Sequence, residues 1–142
     1  MHRSFDEWEA GADEGFRRDR MWRMRAYRLS LYLAEVGSMD AREMTAEQLT
    51  RDIASQLFRA LGSIRANLGE GYSRSAGRDR ARFFEYALGS ARESREWYAH
   101  AGLVLGADRV RERIELLEEI VRLLLAIIPR ERGRTIRPAA MP

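Results

Sequence analysis

The sequence predicts an all-α protein: an antiparallel up-down-up-down four-helix bundle that assembles as a homo-oligomer. Three observations carry this expectation. Apolar residues recur at spacings of three and four, and no stretch alternates as a half-buried strand would. Glycine and proline are scarce, with 11 and 3 residues, and several fall at natural breaks in the periodic runs. One long run near the C-terminus carries two apolar seams, more than a single neighbouring helix can cover.

The first helix is expected over about residues 18–36, where Trp22, Ala26, Leu29, Leu33 and Val36 share a face and Gly37-Ser38 closes the run. Residues 38–45 read as a connection. Thr45 then serves as an N-cap, with Gln48 completing a capping box. The second helix reaches about residue 69, with Leu49, Ile53, Leu57, Ala60, Ile64 and Leu68 inward. Gly69 and Gly71 are placed to close it in the left-handed conformation.

Ser75 or Gly77 opens the third helix, which extends to about Leu105 with Phe83, Ala87, Ser90, Ser94, Trp97, Ala101 and Leu105 inward. Its middle is small (Gly89, Ser90, Ala91), as a closely approaching helix requires. Gly106 breaks the chain, Asp108 can cap, and the fourth helix runs to Ile128 before Pro129. There Val110, Ile114, Leu117, Val121, Leu124 and Ile128 form one seam. Leu116, Ile120, Leu123 and Ile127 form a second, and subunit contacts are its expected use. The chain thus divides into an acidic N-terminal extension (1–16), a bundle (17–129) and an arginine-rich tail (130–142).

Charge is distributed unevenly. All 25 basic residues are arginine. Residues 1–16 are acidic, whereas Arg17, Arg18, Arg20, Arg23, Arg25 and Arg28 face only Asp19 in the next twelve positions. A second cluster holds Arg74, Arg78, Arg80 and Arg82 against Asp79, and a third lies in 130-RERGRTIRP-138. Guanidinium groups suit phosphate recognition, so these clusters are candidate nucleic-acid contacts for RNA or DNA.

The chemistry-bearing residue types are few. No cysteine is present, which removes disulfides and thiolate ligands. The two histidines are His2 and His100, and no Glu-x-x-His metal motif occurs. No phosphate-binding glycine loop follows a strand. The expectation is therefore a non-catalytic protein with no metal, cofactor or small-molecule substrate. No apolar run spans a bilayer and no secretion signal is evident, so the cytoplasm is the expected location.

The run 56-QLFRALGSIRANLGEG-71, with Arg74 and 87-ALGSARE-93, resembles the bacterial four-helix bundle family that includes the proteins encoded by intervening sequences of 23S ribosomal RNA genes. The motif positions are Gln56, Arg59, Ala60, Ser63, Ile64, Ala66, Asn67, Glu70 and Gly71, then Ala87, Gly89, Ser90 and Glu93. Arg65 stands where the family usually has proline. The resemblance implies a homopentamer. It also links the chain in fold to the accessory proteins of diversity-generating retroelements, which bind nucleic acid and partner with a reverse transcriptase. Asn67 and Glu70 are expected to be structural, satisfying backbone groups where the second helix stops. Two readings follow: an oligomeric binding module for RNA or DNA, possible adaptor to a nucleic-acid enzyme, or a protein-only oligomeric scaffold.

Overall fold

The computed structural model describes residues 3–133, and among these every regular element is helical. Two short helices, α1 (Phe5–Ala10) and α2 (Glu14–Arg18), and a 3-10 turn (Arg20–Arg23) precede α3 (Arg25–Ala46). Then come α4 (Arg51–Tyr72), α5 (Gly77–Ala99), the one-turn α6 (Gly102–Leu105) and α7 (Ala107–Arg132). The four long helices share one core, in which Leu29, Leu33, Leu57, Ile64, Leu117 and Leu124 are fully buried. His2 and residues 134–142, most of the arginine-rich tail, lie outside the described residues.

Several helix boundaries differ from expectation, each for a local reason. Gly37 does not end the first long helix. It lies inside α3, where a Cβ would overlap Leu61 of α4, so it marks a close helix–helix approach. Asp40, Ala41 and Met44 are buried beyond it, and their packing carries the helix two more turns. Thr45 therefore does not cap the next helix; its hydroxyl donates to Ala41 O at 2.8 Å within the last turn of α3. Thr50 takes the N-cap position of α4, and its hydroxyl donates 2.7 Å back to Met44 O. Leu49, left in the connection, is 78 % exposed instead of buried.

Gly69 and Gly71 keep helical dihedrals; among the described residues only Gly106 has positive φ, at 90°. Gly71 faces α5, where a Cβ would come within 2.9 Å of the Phe84 ring. On α5, Ala87, Ser94, Ala101 and Leu105 are buried as expected, but at the Phe83, Ser90 and Trp97 positions the buried residue is the next one along. Phe84 and Tyr98 are buried, whereas Phe83 and Trp97 are half-buried. Gly89 is exposed with open space around it, so it does not serve the α4 contact. That contact is made by Ser90, whose hydroxyl donates to Ser63 Oγ at 2.9 Å.

α5 stops at Ala99, and α7 passes through Pro129 to Arg132. Proline removes one ladder donor near the helix end. The buried Ile128 and the 2.7 Å pair between Arg132 and Glu85 hold the additional turn, and the Gly133 amide closes it on Pro129 O at 3.1 Å.

The acidic N-terminal residues are packed on the bundle and not appended to it. Ser4 and Glu7 form a capping box that starts α1, and the helix buries Phe5 and Trp8. Both rings meet Tyr32 of α3 edge-on, with centroids 5.6 and 5.8 Å away. The Tyr32 hydroxyl donates to Arg3 O at 2.7 Å, fixing the segment at its start.

Candidate nucleic-acid interface

The basic clusters converge on one end of the helices. Tyr27, at the start of α3, lines one groove with Gly69 and Glu70 near the end of α4. Met24 and Arg25 line another with Ile127 and Arg130 near the end of α7. Arg132 meets Glu85 in the first half of α5. The start of α3, the α4–α5 junction and residues 130–132 thus lie at one end of the helices, though far apart in sequence. Phe16, next to Arg17, instead lines a groove with Glu35, Phe58 and Gly62 midway along α3 and α4.

Within the first cluster, half of the arginines are committed to the fold. Arg17 donates to the carbonyls of Glu9, Ala10 and Ala12 at 3.1, 2.6 and 3.0 Å, satisfying acceptors left open at the end of α1. Arg25 holds Glu119 of α7 through two nitrogens and lies 5.2 Å from the Phe5 ring centroid. The bond to Glu119 raises its pKa against the opposing effect of burial. Arg28 pairs with Glu9 at 2.6 Å and also donates to Trp22 O. Arg18 makes only an exposed pair with Glu14 at 3.7 Å, and Arg20 and Arg23 are exposed. Trp22 is half-buried against Trp8, which makes it part of the packing more than a platform for a base.

The second cluster is built differently. Its arginines lie over aromatic rings at the junction of α4 and α5. Arg74 and Arg82 both cover Phe83, with guanidinium carbons 4.8 and 5.6 Å from the ring centroid. Arg80 covers Tyr72 at 5.2 Å and donates to Arg74 O at 2.8 Å. Arg74 also pairs with Glu70 across a helical turn, and both side chains are about half exposed. Arg78 and Arg82 are exposed. Tyr86 meets Phe83 edge-on at 5.6 Å with 51 % of its surface open.

Of the motif residues of α4 and α5, Ser63, Ser90 and Gly71 form the seam between the two helices. Asn67 does not cap the helix end as expected. Its amide donates to Ser63 O and Ser63 Oγ, both at 2.9 Å, one turn back in the helix. Glu70 pairs with Arg74 and leaves the backbone to Ser73, whose amide donates to Gly69 O. Glu93 accepts from the Trp97 indole at 3.1 Å, and Gln56 and Arg59 are exposed.

A family model described as 23S rRNA-intervening sequence protein matches residues 24–126. The chain belongs to this family. The matched region begins just before α3 and ends in the last turns of α7, so the family covers the four long helices. Comparison with curated proteins and with solved structures finds no match. α1, α2 and the 3-10 turn lie outside the matched region, with α1 packed on α3.

One group of functional weight escaped the sequence reading: the buried set of Asp40, Tyr98 and Arg113. Arg113 Nε donates 2.7 Å to Asp40 Oδ2, and the Tyr98 hydroxyl donates to the same oxygen at 2.6 Å. Arg109 reaches Asp40 Oδ1 at 3.4 Å and also pairs with Glu43. Burial alone would lower the pKa of Arg113, but the bond and charge of Asp40 outweigh it, so the guanidinium stays charged. Burial, then the adjacent carboxylate, pushes the Tyr98 phenol well above its ordinary range. Every group here is satisfied by a neighbour, which suits a structural clamp. Among the described residues, no cluster of His, Cys, Asp and Glu could hold a metal ion, and no helix is long and apolar enough to cross a membrane.

Proposed function

We propose that this chain is a non-catalytic, self-assembling protein that associates with RNA through the arginine-rich end of an antiparallel four-helix bundle. The antiparallel order is supported by two pairs between α3 and α7 that run in opposite senses. Arg25, at the start of α3, meets Glu119 midway along α7, and Asp40, later in α3, meets Arg113, earlier in α7. The RNA reading is carried by one observation. Separate basic clusters meet at one end, where Arg20, Arg23, Arg78 and Arg82 are exposed beside the ring-held Arg74 and Arg80. Such a surface attracts a polyanion, and the family name associates its members with ribosomal RNA genes. A reverse transcriptase as partner has only the sequence resemblance behind it, so the proposal stops at RNA.

Self-assembly is supported by apolar surface beside α4, while the pentamer as its form has the sequence resemblance behind it. A groove of about 460 Å³ between the N-terminal segment, α3 and α4 is lined by Trp8, Phe16, Leu31, Phe58 and Gly62. Phe16 and Phe58 are exposed on it, and Leu125 is exposed on α7. A patch of this kind fits a second copy better than solvent. The alternative, a protein-only scaffold, is favoured by the internal pairing of Arg17, Arg25 and Arg28.

The test is to purify nuclease-treated protein, weigh it by light scattering, and titrate labelled RNA and DNA at two salt concentrations. The proposal expects a mass five times that of the chain and affinity that falls steeply with salt. An oligomer without affinity at about 100–150 mM salt would favour the scaffold instead. Salt-independent binding would remove the phosphate reading altogether.

A further inference from the structure

The aromatic content of the α4–α5 corner goes beyond what phosphate attraction requires. Arg78, Arg82 and Tyr86 are spaced by four on α5 and all are exposed, so they line one outward stripe about 6 Å apart per step. Behind the stripe, Phe83 is gripped by Arg74 and Arg82 while its edge supports the Tyr86 ring. Both guanidinium groups are thus held over a ring, Arg74 with one nitrogen on Glu70 and Arg82 exposed to solvent. The acids within the corner are Glu70, paired with Arg74, Glu85, paired with Arg132, and the half-buried Asp79 between Arg78 and Arg80.

Cations in a row beside an open aromatic ring form the arrangement that takes unpaired nucleotides. Phosphates meet the guanidinium edges, and a base lies on a ring or on a guanidinium plane. A duplex uses only the first of these features, since its bases are stacked on one another and its deep major groove excludes side chains. From this juxtaposition we infer that the corner binds single-stranded RNA, with Tyr86 as the stacking platform and Arg74, Arg78 and Arg82 as phosphate contacts. The inference rests on the RNA reading above and adds a strand preference to it.

The experiment uses the full chain with two fluorescein-labelled probes, a 20-nucleotide oligouridine strand and an RNA duplex of equal length, across a salt series. Oligouridine should bind at least about tenfold tighter than the duplex, and Tyr86→Leu should erase about tenfold of its affinity while leaving the duplex unchanged. With three phosphates engaged, the slope of log K against log salt for the single strand should be about −2. Arg82→Ala should flatten that slope. Tyr86 is half exposed, and unchanged helicity by circular dichroism checks that its variant folds. Equal affinity for the two probes together with a silent Tyr86→Leu would overturn the strand preference and leave RNA association standing. Failure to bind either probe at about 50 mM salt would remove both readings.

Discussion

Asp40 and Arg113 form a buried ion pair, 2.7 Å long, that ties α3 to α7 with both side chains almost wholly withdrawn from water. Two charges in such a place are stable only while they satisfy each other. Asp40→Ala should therefore cost about 3–5 kcal/mol, because it leaves the buried guanidinium with only the half-exposed Glu112 as an acidic partner. The double variant Asp40→Leu/Arg113→Met should be less destabilised than Asp40→Ala alone. Urea unfolding at fixed protein concentration measures both, and a double variant equal to the sum of the single losses would remove the coupling.

Tyr98 gives this clamp a pH dependence. An unfolded tyrosine releases its proton near pH 10, whereas the folded phenol, buried and bonded to Asp40, holds it to higher pH. Its stabilising contribution is complete below pH 10 and is lost as pH rises toward the folded pKa, because the unfolded state then binds fewer protons. Wild-type stability should thus decline above pH 10 more steeply than that of Tyr98→Phe. At pH 8 the variant should be weaker by about 1–2 kcal/mol through the missing hydrogen bond. Parallel decline of the two proteins would show that Tyr98 is not the group responsible.

The helical glycines divide by what lies opposite them. At Gly37 a methyl group would displace Leu61, and at Gly71 it would press on the Phe84 ring. Each Gly→Ala change should cost about 1–3 kcal/mol by overpacking. Gly89→Ala meets open space and should instead stabilise the chain by up to about 1 kcal/mol through helix propensity. Thermal melts of the three variants separate these signs. A destabilised Gly89→Ala would instead reveal a neighbour that a single copy does not contain.

The four long helices were legible in the sequence because each carries a sustained apolar face; their ends were less so. Gly37 read as a stop because a glycine closing a helix and a glycine admitting a neighbour look the same without the neighbour. The adjacent pairs Phe83-Phe84 and Trp97-Tyr98 left the face of α5 undetermined by one residue. Gly71 and Asp40 decide it, both from other helices. Arg113 stands between Val110 and Leu117 at seam spacing, and Asp40 continues the Leu29–Leu33–Val36 face. A charge at each of those positions was a signal of a buried pair. At the candidate interface, the basic clusters were visible as sequence, but their meeting at one end required the fold. Nor could spacing show that Arg17 is spent on capping α1 while Arg78 is open. Ser4 and Glu7 did announce α1, through a capping box that the acidic charge of the segment obscured.

The division of labour among the arginines yields the last prediction. Arg28 is mostly buried between Glu9 and the Trp22 carbonyl, so Arg28→Ala removes a charge-assisted bond and loosens the N-terminal cover. It should cost about 1–2 kcal/mol of stability and leave the salt slope of RNA binding unchanged. Arg78 has no such bonds and is exposed at the first turn of α5. Arg78→Ala should leave the melting temperature within about a degree, since exposed substitutions away from such features shift stability little. It should lower the magnitude of the slope for single-stranded RNA by about 0.7, the share of one phosphate. Measuring both quantities for both variants gives a two-by-two comparison. If Arg28→Ala flattens the slope while Arg78→Ala does not, phosphate contacts belong to the N-terminal cluster and not to the α4–α5 corner.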